Sequence, residues 1–156
     1  MARKPQNVLV MPFRRLTEMR DEYAVFRRAD DPRNPFWQGV AGGVEDGETL
    51  IEAARRELRE ETGLQSPLAR WIALDARTTV PATVFKDADL WGAGTFVVHE
   101  YAFAVEVFGD EDIVLSHEHS EFRWLDFQAA SKLVRFDSNR TALWEVNERL
   151  ARSRRG

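Results

Sequence analysis

The sequence predicts a single α/β domain that spans residues 1–156. Three observations predict this class. The length suits one hydrophobic core. Segments rich in β-branched and aromatic residues lie on both sides of a segment with helical periodicity. A hydrophobic fraction of 44% and a charged fraction of 31% are those of an ordinary globular protein.

The first elements are predicted to be two strands, at residues 8–13 and 23–27, on either side of the polar stretch 16–21. The next segment, DDPRNPFWQG, is dense in Asp, Pro, Asn and Gly, which indicates a loop. A helix is predicted at residues 49–62, because apolar residues recur there at helical spacing and Gly63 can end it. Acidic residues just before this helix suit the positive end of its dipole: Glu45, Asp46 and Glu48.

The second half of the chain is predicted to contain strands at 67–76, 95–108 and 122–125 and helices at 127–134 and 138–152. Between the first two of these strands, residues 78–94 contain one proline and two glycines and predict a long loop over a binding site. Four aromatic residues are assigned to the core: Trp71, Phe103, Trp124 and Trp144.

Composition excludes several kinds of site. The chain has no cysteine, so any metal would need oxygen or imidazole ligands. A net charge of −4 argues against a general nucleic-acid binder. No stretch approaches the roughly 18 apolar residues of a membrane helix, and the N-terminus indicates a first strand rather than a signal peptide. We therefore expect a cytoplasmic protein with no membrane or nucleic-acid partner.

Three glutamates are crowded on the predicted helix. On a helix that advances about 100° per residue, Glu57, Glu60 and Glu61 fall within about 100° of azimuth, so their carboxylates lie on one stripe. Like charges at this spacing repel one another by a few tenths of a kcal/mol. A divalent cation such as Mg²⁺ or Mn²⁺ would reverse this repulsion, because both ions prefer oxygen ligands.

The alternative is that these are surface glutamates neutralised by neighbouring cations, namely Arg55, Arg56 and Arg59. The glycines ahead of the helix favour the metal. Gly42, Gly43 and Gly47 predict a flexible turn whose amide N–H groups can approach phosphate oxygens. A glycine-rich turn followed by a carboxylate-bearing helix combines two parts of a metal–phosphate site.

Residues 42–64, GGVEDGETLIEAARRELREETGL, resemble the Nudix box of hydrolases that cleave a nucleoside diphosphate linked to another moiety. All nine fixed positions of that motif are matched, from Gly42 and Glu48 to Gly63 and Leu64. The resemblance implies an α/β/α sandwich with a mixed sheet, and attack of water on phosphorus in a pyrophosphate linkage. It also implies that Glu57, Glu60 and Glu61 ligate Mg²⁺, with Mn²⁺ as a substitute, and that Arg56 orients a glutamate. Glu48 would support the loop and the start of the helix, or join the outer shell of the metal.

A further acidic candidate lies in SHEHSEFRWL, residues 116–125. Members of this family often place another metal ligand or general base on a distant loop, and Glu118 matches that position better than Glu121. His117 and His119 make a weak zinc signal, because no further histidine or cysteine cluster accompanies them. We expect both histidines to be solvated or to brace the loop.

Two stretches indicate a branch of the family. FWQGVAGGVEDGET and the triplet Ser138-Asn139-Arg140 resemble the corresponding parts of bacterial dihydroneopterin triphosphate pyrophosphohydrolases. Three alternatives stay open: an asymmetric diadenosine tetraphosphate hydrolase, an enzyme that removes oxidised dNTPs, and a non-catalytic nucleotide-binding regulatory module.

The expected substrate is a small anion, a nucleoside or pterin triphosphate, bound by a monomer or homodimer. Aromatic side chains can stack on a base or pterin ring, amides can bond its edge, and arginines can bind phosphate. The predicted substrate contacts are Arg27, Phe36, Trp37, Gln38, Gly42, Gly43, Asn139 and Arg140.

Overall fold

The computed structural model describes residues 2–17, 20–29 and 33–155. The strands in these ranges are β1 (Arg3–Thr17), β2 (Arg20–Arg28), β3 (Trp37–Gln38), β4 (Val40–Glu45), β5 (Trp71–Pro81), β6 (Val97–Glu106) and β7 (His119–Leu125). The helices are α1 (Leu50–Thr62), α2 (Phe127–Leu133) and α3 (Asp137–Arg155). Short 3₁₀ turns occupy Leu68–Arg70, Ala82–Val84 and Ala88–Trp91.

The described strands form one mixed sheet. Its main order is β3-β2-β1-β6-β5, with β4 paired to β1 and β7 paired to β2. Strands β1 and β6 run parallel, from Gln6↔His99 to Phe13↔Glu106, whereas the other pairs are antiparallel. The long strand β1 therefore pairs with three partners and forms the centre of the sheet.

Alternation along β1 builds a core on each face of the sheet. Val8 and Val10 are buried against α1, while Leu9, Met11 and Phe13 are buried against α2 and α3. This is the expected period of two for a strand that is covered on both sides. The α/β/α sandwich with a mixed sheet is confirmed.

The short strands β3 and β4 differ from the sequence-based prediction, which assigned their residues to a loop and a flexible turn. Gly42 and Gly43 lie within β4, where they pair with Val8 and Asn7. Of the three glycines predicted to form the turn, only Gly47, with φ of 84°, has the positive φ that glycine permits. The glycine pair is therefore extended and held in the sheet.

Other boundaries also shift. Strand β5 begins at Trp71 and continues to Pro81, so the first part of the predicted loop 78–94 is strand. Residues 18 and 19 of the predicted loop 16–21 lie outside the described residues, as do residues 30–32 of the next loop. The assignment of Trp144 to the core is wrong, because 50% of this residue is exposed.

Helix α1 forms as expected. Thr49 is its N-cap in a capping box with Glu52, and Gly63 ends it in the left-handed conformation with φ of 74°. In the part of the chain that the structure describes, no helix is long and apolar enough to cross a membrane.

Candidate active site

Arg56 connects helix α1 to the strand before it. Its Nε and Nη2 donate to the two carboxylate oxygens of Glu48 at 2.7 and 2.9 Å, and Nη2 also donates to the carbonyl of Gly43 at 2.8 Å. Its Nη1 donates to Glu57 at 2.8 Å and to Glu60 at 3.2 Å. The planar guanidinium thus fixes the start of the helix and faces two box glutamates at once.

Glu57 lies directly over Gly42. A Cβ atom at position 42 would come within 2.1 Å of the Glu57 carboxyl carbon, so only glycine allows this approach. Burial raises the pKa of Glu57 to about 7, although Arg56 opposes the rise. The carboxylate is therefore poorly compensated in the absence of a cation.

Glu61 is the deepest of the box glutamates, with only 7% of its side chain exposed. Ser116 Oγ donates to its Oε2 at 2.5 Å, and His119 Nδ1 lies 3.0 Å from the same oxygen. Burial raises the pKa of Glu61, but polar contacts from the loop before β7 lower it by more, so the net pKa lies below its usual value. The environments of Glu57 and Glu61 thus push their pKa values in opposite directions.

Glu118 is brought to the box by this same loop. Its N–H donates to Ser116 Oγ at 3.3 Å, and its Oε2 lies 3.6 Å from Arg28 Nη1. The carbonyl of Glu118 accepts from Ala29 N–H at 2.8 Å, which ties the loop to the end of β2. Glu121, in contrast, pairs with Arg123 at 2.9 Å and has an exposed side chain.

Two residues connect the four candidate glutamates. Glu57 and Glu60 share the Nη1 of Arg56, and Ser116 Oγ donates to the Glu61 carboxylate and accepts from the N–H of Glu118. Among the described residues, no three acidic or histidine side chains converge closely enough to surround a cation. The donor chemistry fits Mg²⁺ or Mn²⁺, because every candidate ligand is a carboxylate and one of them is poorly compensated.

Sequence reasoning missed a second polar cluster beside the glycine pair. The Arg3 side chain lies flat on Gly43, where an added Cβ would come within 2.3 Å of its Nε. Arg3 donates to Asn7 at 2.8 Å, and Asn7 donates to the half-buried Glu100 at 2.6 Å. Arg3 also stacks on Phe85, 4.5 Å from the ring centre. No local motif marks these residues, because β1, β4 and β6 meet only in the folded sheet.

The predicted loop 78–94 is anchored to this cluster. Trp91 Nε1 donates to the carbonyl of Arg3 at 2.6 Å, and the rings of Phe85 and Trp91 lie 6.1 Å apart. Two aromatic side chains therefore lie near Gly43 and close to the box. Both side chains are therefore candidates to stack on the ring of a substrate.

The predicted substrate contacts near β3 lie together. Arg27 pairs with Trp37 in the sheet, and Phe36 packs edge-on against Phe136, with ring centres 5.4 Å apart. Arg27 donates to Ser120 at 2.9 Å, and Gln38 is buried. Because β2 also pairs Arg28 with His119, these side chains lie at the same end of the sheet as Glu118.

Asn139 and Arg140 are already engaged by the protein. The buried Asn139 accepts from Gly39 N–H at 2.8 Å, which joins α3 to β3. Arg140 donates to the carbonyls of Val134 and Arg135 at 2.6 and 3.1 Å. These contacts give the Ser-Asn-Arg triplet a bracing role, and any substrate contact from Asn139 would come from its Nδ2 group.

Comparisons with known proteins agree with this architecture. The NUDIX domain profile matches residues 5–144. The dihydroneopterin triphosphate diphosphatase of Escherichia coli K12 is 32% identical over 142 residues, which cover 90% of this chain and 91% of that protein. An RNA pyrophosphohydrolase of Erythrobacter litoralis is 34% identical over 116 residues, covering 69% and 70%.

A solved structure from Listeria monocytogenes, assigned to the NUDIX hydrolases, is 38% identical and covers 97% of both chains with a TM-score of 0.83. The matched region contains the whole segment 42–64 and the loop that carries Glu118. The solved structure of the E. coli dihydroneopterin triphosphate pyrophosphohydrolase is 29% identical and covers 94% of this chain and 99% of that chain with a TM-score of 0.72. The chain therefore belongs to the Nudix family and is a hydrolase that acts on pyrophosphate bonds.

Proposed function

We propose that this hydrolase requires Mg²⁺ and prefers dihydroneopterin triphosphate or a related (deoxy)nucleoside triphosphate. The observation that carries the proposal is the contact of Glu61 with Ser116, whose Oγ also accepts from the N–H of Glu118, so that the box helix lies beside a distant acidic residue. Support for the substrate comes from the 32% identical dihydroneopterin triphosphate diphosphatase, which matches along 90% of this chain.

In this proposal, Glu57, Glu60, Glu61 and Glu118 hold the cation. Bound Mg²⁺ would neutralise phosphate charge and lower the pKa of an attacking water. Arg56 keeps Glu57 and Glu60 oriented on one side of the site. Glu118, which has 39% of its side chain exposed, either completes the cation ligands or accepts the proton of the water.

The reaction releases pyrophosphate. The water oxygen forms a bond to the α-phosphorus of the triphosphate. The bond between that phosphorus and the oxygen that bridges it to the β-phosphorus breaks. The pyrophosphate leaves with the electron pair of the broken bond, and the proton of the water passes to a carboxylate. The products are a pterin or nucleoside monophosphate and pyrophosphate.

Other substrates define the alternatives. A diadenosine tetraphosphate hydrolase is suggested by the LSHEH sequence at 115–119, but that branch usually has a Pro-Lys-Gly-type segment where this chain has Val40-Ala41-Gly42-Gly43. An oxidised dNTP would use the same box and a different stacking pocket. The similarity to an RNA pyrophosphohydrolase favours a triphosphorylated RNA end as a further candidate.

A substrate panel tests the proposal. Dihydroneopterin triphosphate, normal and oxidised dNTPs, diadenosine tetraphosphate and 5′-triphosphorylated RNA are compared by kcat/KM with Mg²⁺, with EDTA and with Glu61→Gln as the inactive control. We expect dihydroneopterin triphosphate to give the highest kcat/KM, EDTA to abolish turnover, and Glu61→Gln to lower kcat by about 10²–10⁴. Preference for a dinucleotide or RNA would reject the proposed substrate, and full activity in EDTA would reject the metal.

Two further properties stay predictions. The cytoplasmic location can be tested by cell fractionation. A monomer or homodimer is expected, and size-exclusion chromatography with light scattering measures the mass in solution.

A further inference from the structure

The loop before β7 holds one particular oxygen of Glu61. Ser116 Oγ donates to Oε2 at 2.5 Å, and His119 Nδ1 lies 3.0 Å from the same atom. Both contacts fall on Oε2, which leaves Oε1 as the oxygen that can turn toward a cation. A carboxylate restrained at one oxygen has far less rotational freedom than a solvated one.

His119 is placed by the fold rather than by solvent. None of its side chain is exposed, and its ring lies 5.5 Å from that of Phe26 on β2. In the described part of the chain, neither ring nitrogen has a well-aligned hydrogen-bond partner, although Nδ1 is within 3.0 Å of Glu61. Buried polar side chains without an aligned partner are uncommon in proteins, so the placement of His119 calls for an explanation.

The backbone of the loop is fastened on both sides of this contact. Ser116 N–H donates to the carbonyl of Glu61 at 3.2 Å, and Val114 N–H donates to that of Thr62 at 2.9 Å. On the other side, Ala29 N–H donates to the carbonyl of Glu118 at 2.8 Å. Ser116 and His119 are therefore fixed relative to the end of α1, and can act as rigid supports for Glu61.

We propose that Ser116 and His119 are positioning residues that hold Oε2 of Glu61 and so present Oε1 to the divalent cation. This inference rests on the proposed Mg²⁺-dependent function. Neither residue touches the substrate; both act through the glutamate. In metal sites, partners of this kind that hydrogen-bond a ligand typically change metal affinity by about 10–100-fold when they are removed.

Mn²⁺ binding by the full chain, measured by electron paramagnetic resonance without substrate, tests the proposal. The relevant Mn²⁺ site is the one whose binding is lost in Glu61→Gln. We expect His119→Leu to weaken this binding by about 10–100-fold, and Ser116→Ala to weaken it by about fivefold, as for the loss of one hydrogen bond. His119→Asn, which keeps a side-chain N–H near the position of Nδ1, should recover most of the affinity.

The matched control is His117→Leu, because His117 is exposed in the same loop. It should bind Mn²⁺ like the wild type. Unchanged affinity in His119→Leu would overturn the proposal, as would equal losses in His117→Leu and His119→Leu. If circular dichroism shows that His119→Leu does not fold, the Mn²⁺ affinity of Ser116→Ala tests the proposal instead. Unchanged affinity in that variant also overturns the proposal. A wild type that neither binds Mn²⁺ nor hydrolyses any triphosphate would instead reject the proposed function itself.

Discussion

At the scale of single residues, the box glutamates occupy different environments although they lie within two turns of one helix. Glu57 is buried over Gly42 and has a pKa near 7, Glu60 is half exposed, and Glu61 is buried with a lowered pKa. Divergent environments of this kind are typical of sites that combine charge binding with proton transfer.

Glu118 can be distinguished from its neighbour Glu121 by mutation. Glu118→Gln should lower kcat by about 10²–10⁴, because a residue that binds the cation or accepts the proton contributes several kcal/mol to the transition state. Glu121→Gln is the control, since its exposed side chain pairs with Arg123 on the same strand. Steady-state kinetics on the preferred triphosphate measures both, and a loss of only twofold in Glu118→Gln would contradict its role.

Gly42 is predicted to be intolerant of the smallest side chain. A Cβ atom there would lie 2.1 Å from the Glu57 carboxyl carbon, so Gly42→Ala must displace that carboxylate. We expect kcat to fall by about 100-fold, the order expected for a displacement of about 1 Å in an active site, with little change in Tm. Gly94→Ala is the control, because nothing lies within 4 Å of its added Cβ. Wild-type kcat in Gly42→Ala would refute the contact.

Glu100 gives a prediction about pH. Burial raises its pKa, although Asn7 opposes the rise. Above the unfolded-state pKa the folded protein then holds a proton that the unfolded chain loses, so this group makes the fold less stable as pH rises. Glu100→Gln removes the titration and keeps an acceptor for Asn7. Its Tm should exceed that of the wild type at pH 8, with a smaller difference at pH 5; a difference independent of pH would contradict this origin.

At the scale of elements, helix α1 could be predicted with both ends, because its signals are local. Apolar spacing, the N-cap Thr49 and the terminating Gly63 all lie within the segment itself. The strands β3 and β4 could not be predicted from the sequence, since a two-residue strand and a glycine pair carry little strand propensity. They are strands because β1 and β2 supply their hydrogen-bond partners.

The capping box of α1 provides a test at this scale. Thr49 accepts from Glu52 N–H, and Glu52 accepts from Thr49 N–H at 3.0 Å. Thr49→Ala should lower the free energy of unfolding by about 1 kcal/mol, whereas Thr49→Ser should change it by only a few tenths. Urea denaturation monitored by circular dichroism measures both, and equal stabilities for the two variants would show that the cap contributes nothing.

At the scale of the whole molecule, the sandwich is closed by contacts between the end of α3 and the start of β2. Tyr23 donates to Asn147 at 3.0 Å, and Arg154 pairs with Asp21 at 2.5 Å. Only 4% of the Asp21 side chain is exposed, so its charge depends on this partner. The pair joins two elements separated by most of the chain.

Removing the cation of this pair should therefore destabilise the fold. We expect Arg154→Gln to lower the free energy of unfolding by about 1–3 kcal/mol, the usual effect of leaving a buried charged group unsatisfied. Arg152→Gln, an exposed change on the same helix, serves as the control. Chemical denaturation at pH 7 measures both variants, and equal stability of Arg154→Gln and wild type would mean that Asp21 is satisfied by solvent.

From residue spacing alone, the candidate site was predictable only where its parts are close in sequence, and Glu118 was added only by the family resemblance. The box glutamates and Arg56 share one helix, so spacing alone groups them. The contacts of Glu61 with Ser116 and His119, and of Gly43 with Arg3, join residues that are far apart in sequence. Such pairs follow from the packing of helix α1 and the loop before β7 and from the register of the sheet, which no single segment of the sequence specifies.

The distribution of contacts around the guanidinium of Arg56 determines which of them a bound cation would disturb. Its Nε and Nη2 donate to Glu48, and Nη2 also donates to the Gly43 carbonyl, whereas only Nη1 donates to Glu57 and Glu60. A cation that draws those two glutamates away would take partners from one edge of the guanidinium alone. The contacts of Arg56 with Glu48 and Gly43 would therefore persist when a cation binds, whereas those with Glu57 and Glu60 would be exchanged for the cation. Helix α1 would stay joined to β4 while the two glutamates change partners.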